Sequence, residues 1–529
     1  MVSAPRLLPG KPIDPTSAAF LLAETRNQPM HVGGLQLFEL PEDAGPNYVR
    51  EMYEKMRDVE EIAPLFLKHP YRSVRTGGQL VWRPDEQFDI EHHVRHSALP
   101  EPGRVRELLD LCGRLHSTRL AWERPLWEAH VIEGLADGRV ALYTKIHHGL
   151  VDGISAMRLL QKVLSTDPDR RNMQAMWSAE AVRSRRSRKE EDHDNDPGAI
   201  AAAVSGATAA VVGAAAAATE VAAGAMSGAA DVVVDAAAGA ADAARGLSIP
   251  DLPVDVMRTA LAISADAAGM PGALVRTLRR GIRNETSAVS LYAPRTIFNQ
   301  KITGSRRFAA QDWPIERMRA IGKASNTTIN DVVLAMCSGA IRKYLTDLDA
   351  LPDTSLVAMV PVGLKAKESH VASADGGNAV GAVMVKMATD LDDPERRLKT
   401  IHASMKDGKD ALSSMTPSQI MAMSAIGMAP AIVPGLLRMQ GVVRPPFNLI
   451  ISNVPGPRST HYWNGARLAG TYPLSIPING MALNITCTSY DGDMGFGLTG
   501  CRRTVPHLQR LLTFLDEELG ALEKAAGVN

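Results

Sequence analysis

The sequence predicts a mixed α/β chain made of two halves of similar type. Two observations carry that expectation. Each half alternates β-rich runs with stretches of helical periodicity, and the alanine-rich tract between them has almost no large side chains with which to build a core. Composition agrees: of 529 residues, 45% are hydrophobic and 22% charged, an ordinary globular balance that excludes disorder of the whole chain. The length admits roughly two to four domains at about 150 residues each.

In the first half, residues 127–133 and 139–146 are β-rich runs separated by Gly134, Asp137 and Gly138, which predicts a hairpin. Ile154, Met157, Leu160 and Leu164 then recur at helical spacing, so a helix follows. In the second half the pattern predicts a helix over 328–345, entered through Thr327 and Thr328. Strands are predicted over 356–360, 380–387, 447–453, 482–489 and 494–499, the last two flanking the hairpin dipeptide Asp491-Gly492. The stretch 170–288 is different. Residues 183–196 alternate basic and acidic blocks that cannot bury apolar area, as in a solvated linker, and 199–245 favours helix without offering a core. The expected division is therefore 1–169, an insert over 170–290, and 291–529. The insert reads either as a low-complexity spacer or as an amphipathic arm that touches lipid or a partner.

With 58 Lys+Arg against 58 Asp+Glu, the formal net charge is zero, which argues against a general nucleic-acid binder. Cys112, Cys337, Cys487 and Cys501 form no CxxC pair, so neither a zinc knuckle nor a disulfide framework is expected and a reducing compartment fits. Residues 1–15 lack the apolar core of a secretory signal, and the chain is expected to stay inside the cell. Residues 198–219 are uncharged but mostly Ala; residues 420–437 are more apolar but are interrupted by Pro430 and Pro434. Peripheral lipid contact suits these stretches better than spanning.

The most informative stretch is Lys145-Ile146-His147-His148-Gly149-Leu150-Val151-Asp152-Gly153. Side chains alternate along a strand, so if the strand persists through the pair, His148 shares the apolar face with Leu142 and Ile146 while His147 points the other way. An imidazole in a mostly apolar pocket, with an unperturbed pKa of ~6.5, suits proton abstraction from an alcohol near neutral pH. His148 is the candidate general base. The plainer reading of the pair is a satisfied histidine in a packed turn. His147, His148 and Asp152 are all metal-ligand types, but adjacent strand positions face opposite sides and no third His or Cys lies at a familiar spacing, so no metal is expected. Asp152 would cap the next helix, pair with an arginine or orient an imidazole, and a structural role is favoured. Arg124 to Glu128 reads as a turn leading into an edge strand. Asn330-Asp331 begins a helix, where either residue would ordinarily serve as the cap, although an amide there could also donate to a developing oxyanion.

His147 to Gly153 matches the HHxxxDG motif of CoA-dependent acyltransferases, a superfamily whose fold is named for chloramphenicol acetyltransferase. Pro29 to Gly34, Arg124 to Glu128, Asn330 to Ala335, Pro361 to Leu364 and Ser452 to Pro457 narrow the match. Together these stretches resemble the bacterial wax ester synthase/diacylglycerol acyltransferase family, from about residue 14 to about residue 519 outside the insert. The resemblance implies two pseudo-dimeric chloramphenicol-acetyltransferase-like domains with the active site at their interface. It implies His148 as the base, His147 as its support, Asn330 polarising the thioester carbonyl, and Asp152, Gly153 and Asp331 as structural residues of the site. Acyl-CoA is then the co-substrate, with no metal or bound cofactor. The acceptor is diacylglycerol or a long-chain alcohol, and the enzyme docks from the cytoplasm on a membrane or lipid body without binding nucleic acid. Two alternatives remain: the same superfamily chemistry with an amine or other alcohol as acceptor, and a non-catalytic lipid-body protein that keeps the fold.

Overall fold

The computed structural model describes residues 11–73, 78–151, 153–183, 293–363, 380–413 and 445–528. The alanine-rich tract, residues 420–437 and Asp152 lie outside them. The first half runs β1 (Lys11–Pro12), α1 (Pro15–Ala23), β2 (His31–Glu39), α2 (Tyr48–Arg57), β3 (Lys68–Ser73), β4 (Gln79–Pro84), α3 (Ile90–His93), β5 (Val94–Ala98), α4 (Val105–Ser117), β6 (Trp127–Glu133), β7 (Val140–His147), α5 (Gly153–Lys162) and α6 (Ala179–Arg183). After the insert come β8 (Arg306–Pro314), α7 (Ile315–Ala324), α8 (Ile329–Asp347), β9 (Val357–Gly363), β10 (Val380–Lys386), α9 (Pro394–Ser413), β11 (Leu449–Val454), β12 (Tyr462–Trp463), β13 (Ala466–Leu474), β14 (Leu483–Tyr490), β15 (Asp493–Cys501) and α10 (Arg510–Ala526).

The chain divides into two compact units, one of residues 1–195 with 459–474, the other of 196–458 with 475–529. Each is built around a six-stranded mixed sheet, so the fold is mixed α/β in two domains. The first sheet has the order β12-β13-β2-β7-β6-β5, with β5 and β6 parallel, and a small sheet β1-β4-β3 accompanies it. The second has the order β10-β9-β11-β14-β15-β8, with β11 parallel to both β9 and β14.

Both sequence-read hairpins form. β6 and β7 pair antiparallel, and so do β14 and β15 across Asp491 and Gly492. Those two turn residues sit at φ 46° and 90°, the left-handed values that a tight two-residue hairpin turn needs and that Asp and Gly tolerate best. Two features depart from the expected blocks. Residues 459–474 follow β11 in sequence yet supply β12 and β13 to the first sheet, β13 pairing along β2 from Arg467↔Glu39 to Leu474↔Gly33. Residues 170–183, assigned from composition to the insert, pack within the first unit: Met173, Met176 and Trp177 are buried, and the Trp177 ring stacks on Trp127 at 5.0 Å. Charge runs dominated the reading of that stretch, and its few large apolar side chains marked the true edge of the core.

The four cysteines are buried and free. Helix α8 is buried around most of its circumference, Val332 to Met336 consecutively, because it runs through the interior of the second unit.

Candidate active site

The site is built where β7 ends. Register pairs His31 with His147 across β2 and β7, and the His147 N–H donates to Leu126 O at 2.9 Å, so the strand terminates on the first histidine of the motif. The strand thus ends one residue beyond the run read from the sequence, and the condition for placing His148 by alternation, that the strand continue through the pair, is not met. Leu150 N and Val151 N both fold back on His147 O, at 2.8 and 3.2 Å, and His148 sits in the resulting turn. The two histidines still differ in environment. His147 is fully buried, while His148 is partly exposed.

His148 is held by its backbone and by its ring. Its N–H donates to Met30 O at 2.8 Å, and its imidazole stacks on Phe20 with centroids 4.1 Å apart and planes 20° from parallel. Phe20 comes from α1, a nine-residue helix capped by Asp14, which accepts the Ser17 N–H at 2.9 Å. One face of that helix packs on the turn. A Cβ placed at Gly149 would stand 2.8 Å from Ser17 O, 3.1 Å from His147 Nδ1 and 3.4 Å from Leu21 Cγ. Glycine is required there by close approach of two backbones.

His147 is held by its ring. Nδ1 accepts the Gly149 N–H at 3.0 Å, which places the proton of the neutral imidazole on Nε2. That edge faces Glu24 Oε1 at 3.7 Å, with no closer hydrogen-bond partner among the described residues. Burial, with Arg119 and His148 nearby, pushes the His147 pKa down to about 3, so this ring stays neutral. Glu24 caps the end of α1, and its side chain is fully buried. It accepts from Met30 N at 3.2 Å and from Trp122 Nε1 at 3.0 Å, with Arg119 Nε 3.3 Å away. Burial raises its pKa, against the pull of these partners.

The same face of β7 carries Lys145 two residues earlier. Its buried ammonium donates to Leu115 O at 3.1 Å and Thr118 O at 3.0 Å and pairs with Glu128 Oε2 at 3.1 Å. Burial lowers the Lys145 pKa, and Glu128 opposes that. Burial also works against ionisation of Glu128, yet His130, Lys145 and Arg95 outweigh it and hold that carboxyl at about 2. Arg124 to Glu128 leads not into an edge strand but into β6, which lies between β7 and β5; there Leu126 O anchors His147 and Glu128 pairs with the buried Lys145. His31, whose Nε2 lies 2.9 Å from His116 O, is kept well below the ordinary imidazole pKa by burial and by the nearby His116 and Lys145.

In the second unit, α8 is capped by neither Asn330 nor Asp331. Thr328 is the N-cap residue, and Asp331 completes a capping box: Asp331 N donates to Thr328 Oγ1 at 3.2 Å and Thr328 N to Asp331 Oδ2 at 2.9 Å. His402 Nδ1 also lies 2.8 Å from that carboxylate oxygen. Asn330 is left out of the cap. Its Oδ1 accepts from Asn453 Nδ2 at 3.4 Å, an assignment that leaves its own NH₂ group as the donor. Gly153 begins α5 against Val32, with a built Cβ 3.8 Å from the nearest valine carbon. Among the described residues, no cluster of three or more His, Cys, Asp or Glu is placed to hold a metal ion.

Glu24, Phe20, Lys145 and Asn453 escaped the sequence reading as site residues. For the first two a signal existed, since Ser17, Phe20, Leu21 and Glu24 recur at i, i+3, i+4 and i+7, one helical face. Lys145 and Asn453 lie in the stretches Lys145 to Gly153 and Ser452 to Pro457 quoted above, but the partners they meet, Glu128 and Asn330, are distant in sequence, so nothing local gives them a role.

Two predictions follow from this geometry. Gly149→Ala should lower turnover by about 10- to 100-fold with unchanged far-UV circular dichroism, because the methyl group forces the turn off α1 and shifts the adjacent histidine. Turnover equal to wild type would show that the contact tolerates displacement. Glu128→Gln should cost about 3–5 kcal/mol at pH 7, since it leaves the buried Lys145 unpaired. The native carboxyl lies near 2 against an ordinary 4.5, so its contribution is complete above about pH 4.5 and is lost as pH falls through about 2. Urea unfolding of wild type and variant should therefore converge across that window, and a gap independent of pH would contradict the assignment.

Comparison with known proteins agrees with the motif reading. Residues 13–238 and 234–333 match the wax ester synthase/diacylglycerol acyltransferase catalytic domain, and residues 376–523 match the C-terminal domain of the same family. The first match enters the alanine-rich stretch that the motifs alone leave outside. A probable diacylglycerol O-acyltransferase of Mycobacterium tuberculosis is 42% identical over 514 residues, 97% of this chain and 99% of the relative. A second, putative diacylglycerol O-acyltransferase of that organism is 42% identical over 520 residues, 98% of this chain and all of the relative. The solved wax ester synthase/diacylglycerol acyltransferase from Marinobacter aquaeolei VT8 superposes with a TM-score of 0.70 at 37% identity, covering 98% of this chain and 100% of that one. With family matches at both ends and relatives aligned along nearly its whole length, the chain belongs to the wax ester synthase/diacylglycerol acyltransferase family.

Proposed function

We propose that the protein transfers a fatty acyl group from acyl-CoA to the hydroxyl of diacylglycerol or of a long-chain alcohol, with His148 as general base. As the hydroxyl oxygen attacks the thioester carbonyl carbon, an imidazole nitrogen of His148 takes its proton. The tetrahedral oxyanion then collapses, the C–S bond breaks, and CoA thiolate leaves and recovers the proton from the same imidazolium. The products are an ester and free CoA, with no covalent acyl-enzyme. Asn330 is proposed to donate its amide N–H to the oxygen of the thioester carbonyl, a role supported by its exclusion from the helix cap. Asp331, Gly153 and Asp152 are assigned structural roles, and neither a metal nor a bound organic cofactor takes part.

The contrast within the histidine pair carries this reading. A ring held near pKa 3 and bonded on Nδ1 cannot collect a proton near neutral pH, so His147 is suited to support. His148, partly exposed and clamped between Met30 O and the Phe20 ring, is the member suited to exchange one.

General-base help is worth about 10²- to 10⁴-fold, so His148→Ala should lose turnover by that order in a thiol-release assay with palmitoyl-CoA and either dioleoylglycerol or hexadecanol. Activity within tenfold of wild type would remove His148 from the mechanism, and release with an amine but neither alcohol would replace the acceptor class.

The acceptors partition into lipid, so we also propose that the enzyme works docked on a membrane or lipid-body surface. Among the described residues no helix is long and apolar enough to cross a membrane, which leaves peripheral contact as the mode proposed. Flotation with vesicles containing dioleoylglycerol should carry the protein to the lipid fraction. Recovery entirely in the dense fraction would overturn the docking.

A further inference from the structure

The Glu24 carboxylate is buried beside two of the groups that hold the histidine pair, the Nε2 edge of His147 and the main chain of Met30. From the geometry we infer that Glu24 is a positioning residue for the base, acting on His148 through His147 on one side and Met30 on the other. The inference rests on the reading of His148 as the base.

The first route runs through a ring. His147 Nδ1 accepts the Gly149 N–H at 3.0 Å, and this bond exists only while Nδ1 carries a lone pair. An anionic oxygen 3.7 Å from Nε2 favours the tautomer with its proton on Nε2, which is the tautomer the Gly149 bond requires. That separation is longer than a full hydrogen bond, as such contacts often are before substrate binds. Glu24 thereby selects the form of His147 that pins the residue following His148. Nε2 itself has no other polar partner among the described residues.

The second route runs through the main chain. Glu24 Oε1 accepts the Met30 N–H at 3.2 Å, and Met30 O accepts the His148 N–H at 2.8 Å. One carboxylate oxygen therefore holds the residue whose carbonyl holds the base. The other oxygen is anchored by Trp122 Nε1 at 3.0 Å and Arg119 Nε at 3.3 Å, so the carboxylate has little freedom to rotate away. Phe20, on which the His148 ring stacks, lies one helical turn before Glu24 on α1, so displacement of the carboxylate would also move the stacking surface.

The test is Glu24→Gln, which keeps shape and removes charge. A glutamine NH₂ turned toward Nε2 prefers a lone pair there, which moves the His147 proton to Nδ1 and sets it against the Gly149 N–H. The expected result is a fall in kcat of about 10- to 100-fold with KM for palmitoyl-CoA nearly unchanged. In 15N-histidine-labelled protein, the His147 signals, assigned by their loss in His147→Asn, should change from the Nε2–H pattern to the Nδ1–H pattern. Unchanged kcat, or reduced kcat with the Nε2–H pattern intact, would overturn the proposal. If Glu24→Gln does not fold, Trp122→Phe removes one anchor and keeps the carboxylate. It should lower kcat several-fold at constant KM, and wild-type kcat would overturn the proposal equally. The tautomer is read without turnover, so an active His148→Ala would sink the base assignment while the His147 signals still judge Glu24.

Discussion

A carboxylate enclosed by protein must find donors for its oxygens or give up its charge, and the histidine turn is arranged around that requirement. Glu24 meets it with a peptide N–H, an indole N–H and a guanidinium, drawn from two segments distant in sequence, one at Met30 and one at Arg119 to Trp122. Segments that share one anion cannot drift independently. Helix α1, only nine residues long, is too short to be stable alone, and its place is set by this anion at one end and by Gly149 packed on its backbone in the middle. The helix and the turn therefore order each other.

The buried face of β7 handles its ionisable groups in two ways. Lys145 and Glu128 pair with each other, carbonyls or donors occupy their remaining valences, and the partners of Glu128 hold its carboxyl at about 2. His147 and His31 stay neutral because no carboxylate sits within bonding distance to hold a second proton on either ring, and burial then decides.

Much of this was legible in the sequence. The hairpins at 134–138 and 491–492, the helix after Gly153 and the helix starting near Thr328 follow from turn chemistry and periodicity, and the HHxxxDG stretch located the turn that carries His148. Alternation could place His148 only if the strand ran through the pair, and it does not, because a strand stops where its neighbour stops and the last pairing of β7 is set by His31 across the sheet. Period-two patterns report which face a residue occupies and say nothing of which strand lies alongside. That is why residues 459–474 could not be read into the first sheet, nor Asn453 beside Asn330. Glu24 was hidden for a different reason: an acidic residue at the end of a helix looks solvated until Trp122 and Arg119, about a hundred residues later, are seen to enclose it.

The two motifs share a logic that their sequences only suggest. Each is an adjacent pair in which one residue bonds to the backbone and its neighbour is the one we propose for the chemistry. His147 binds the Gly149 N–H, and Asp331 closes the capping box with Thr328. Successive side chains point in different directions on a strand or a helix, so the structural bond of one does not draw in the other. It does fix the peptide between them. On the proposed mechanism, a reacting group positioned through its neighbour's bonds need not have those structural bonds broken in every cycle, which gives a reason for two adjacent histidines where one takes the proton.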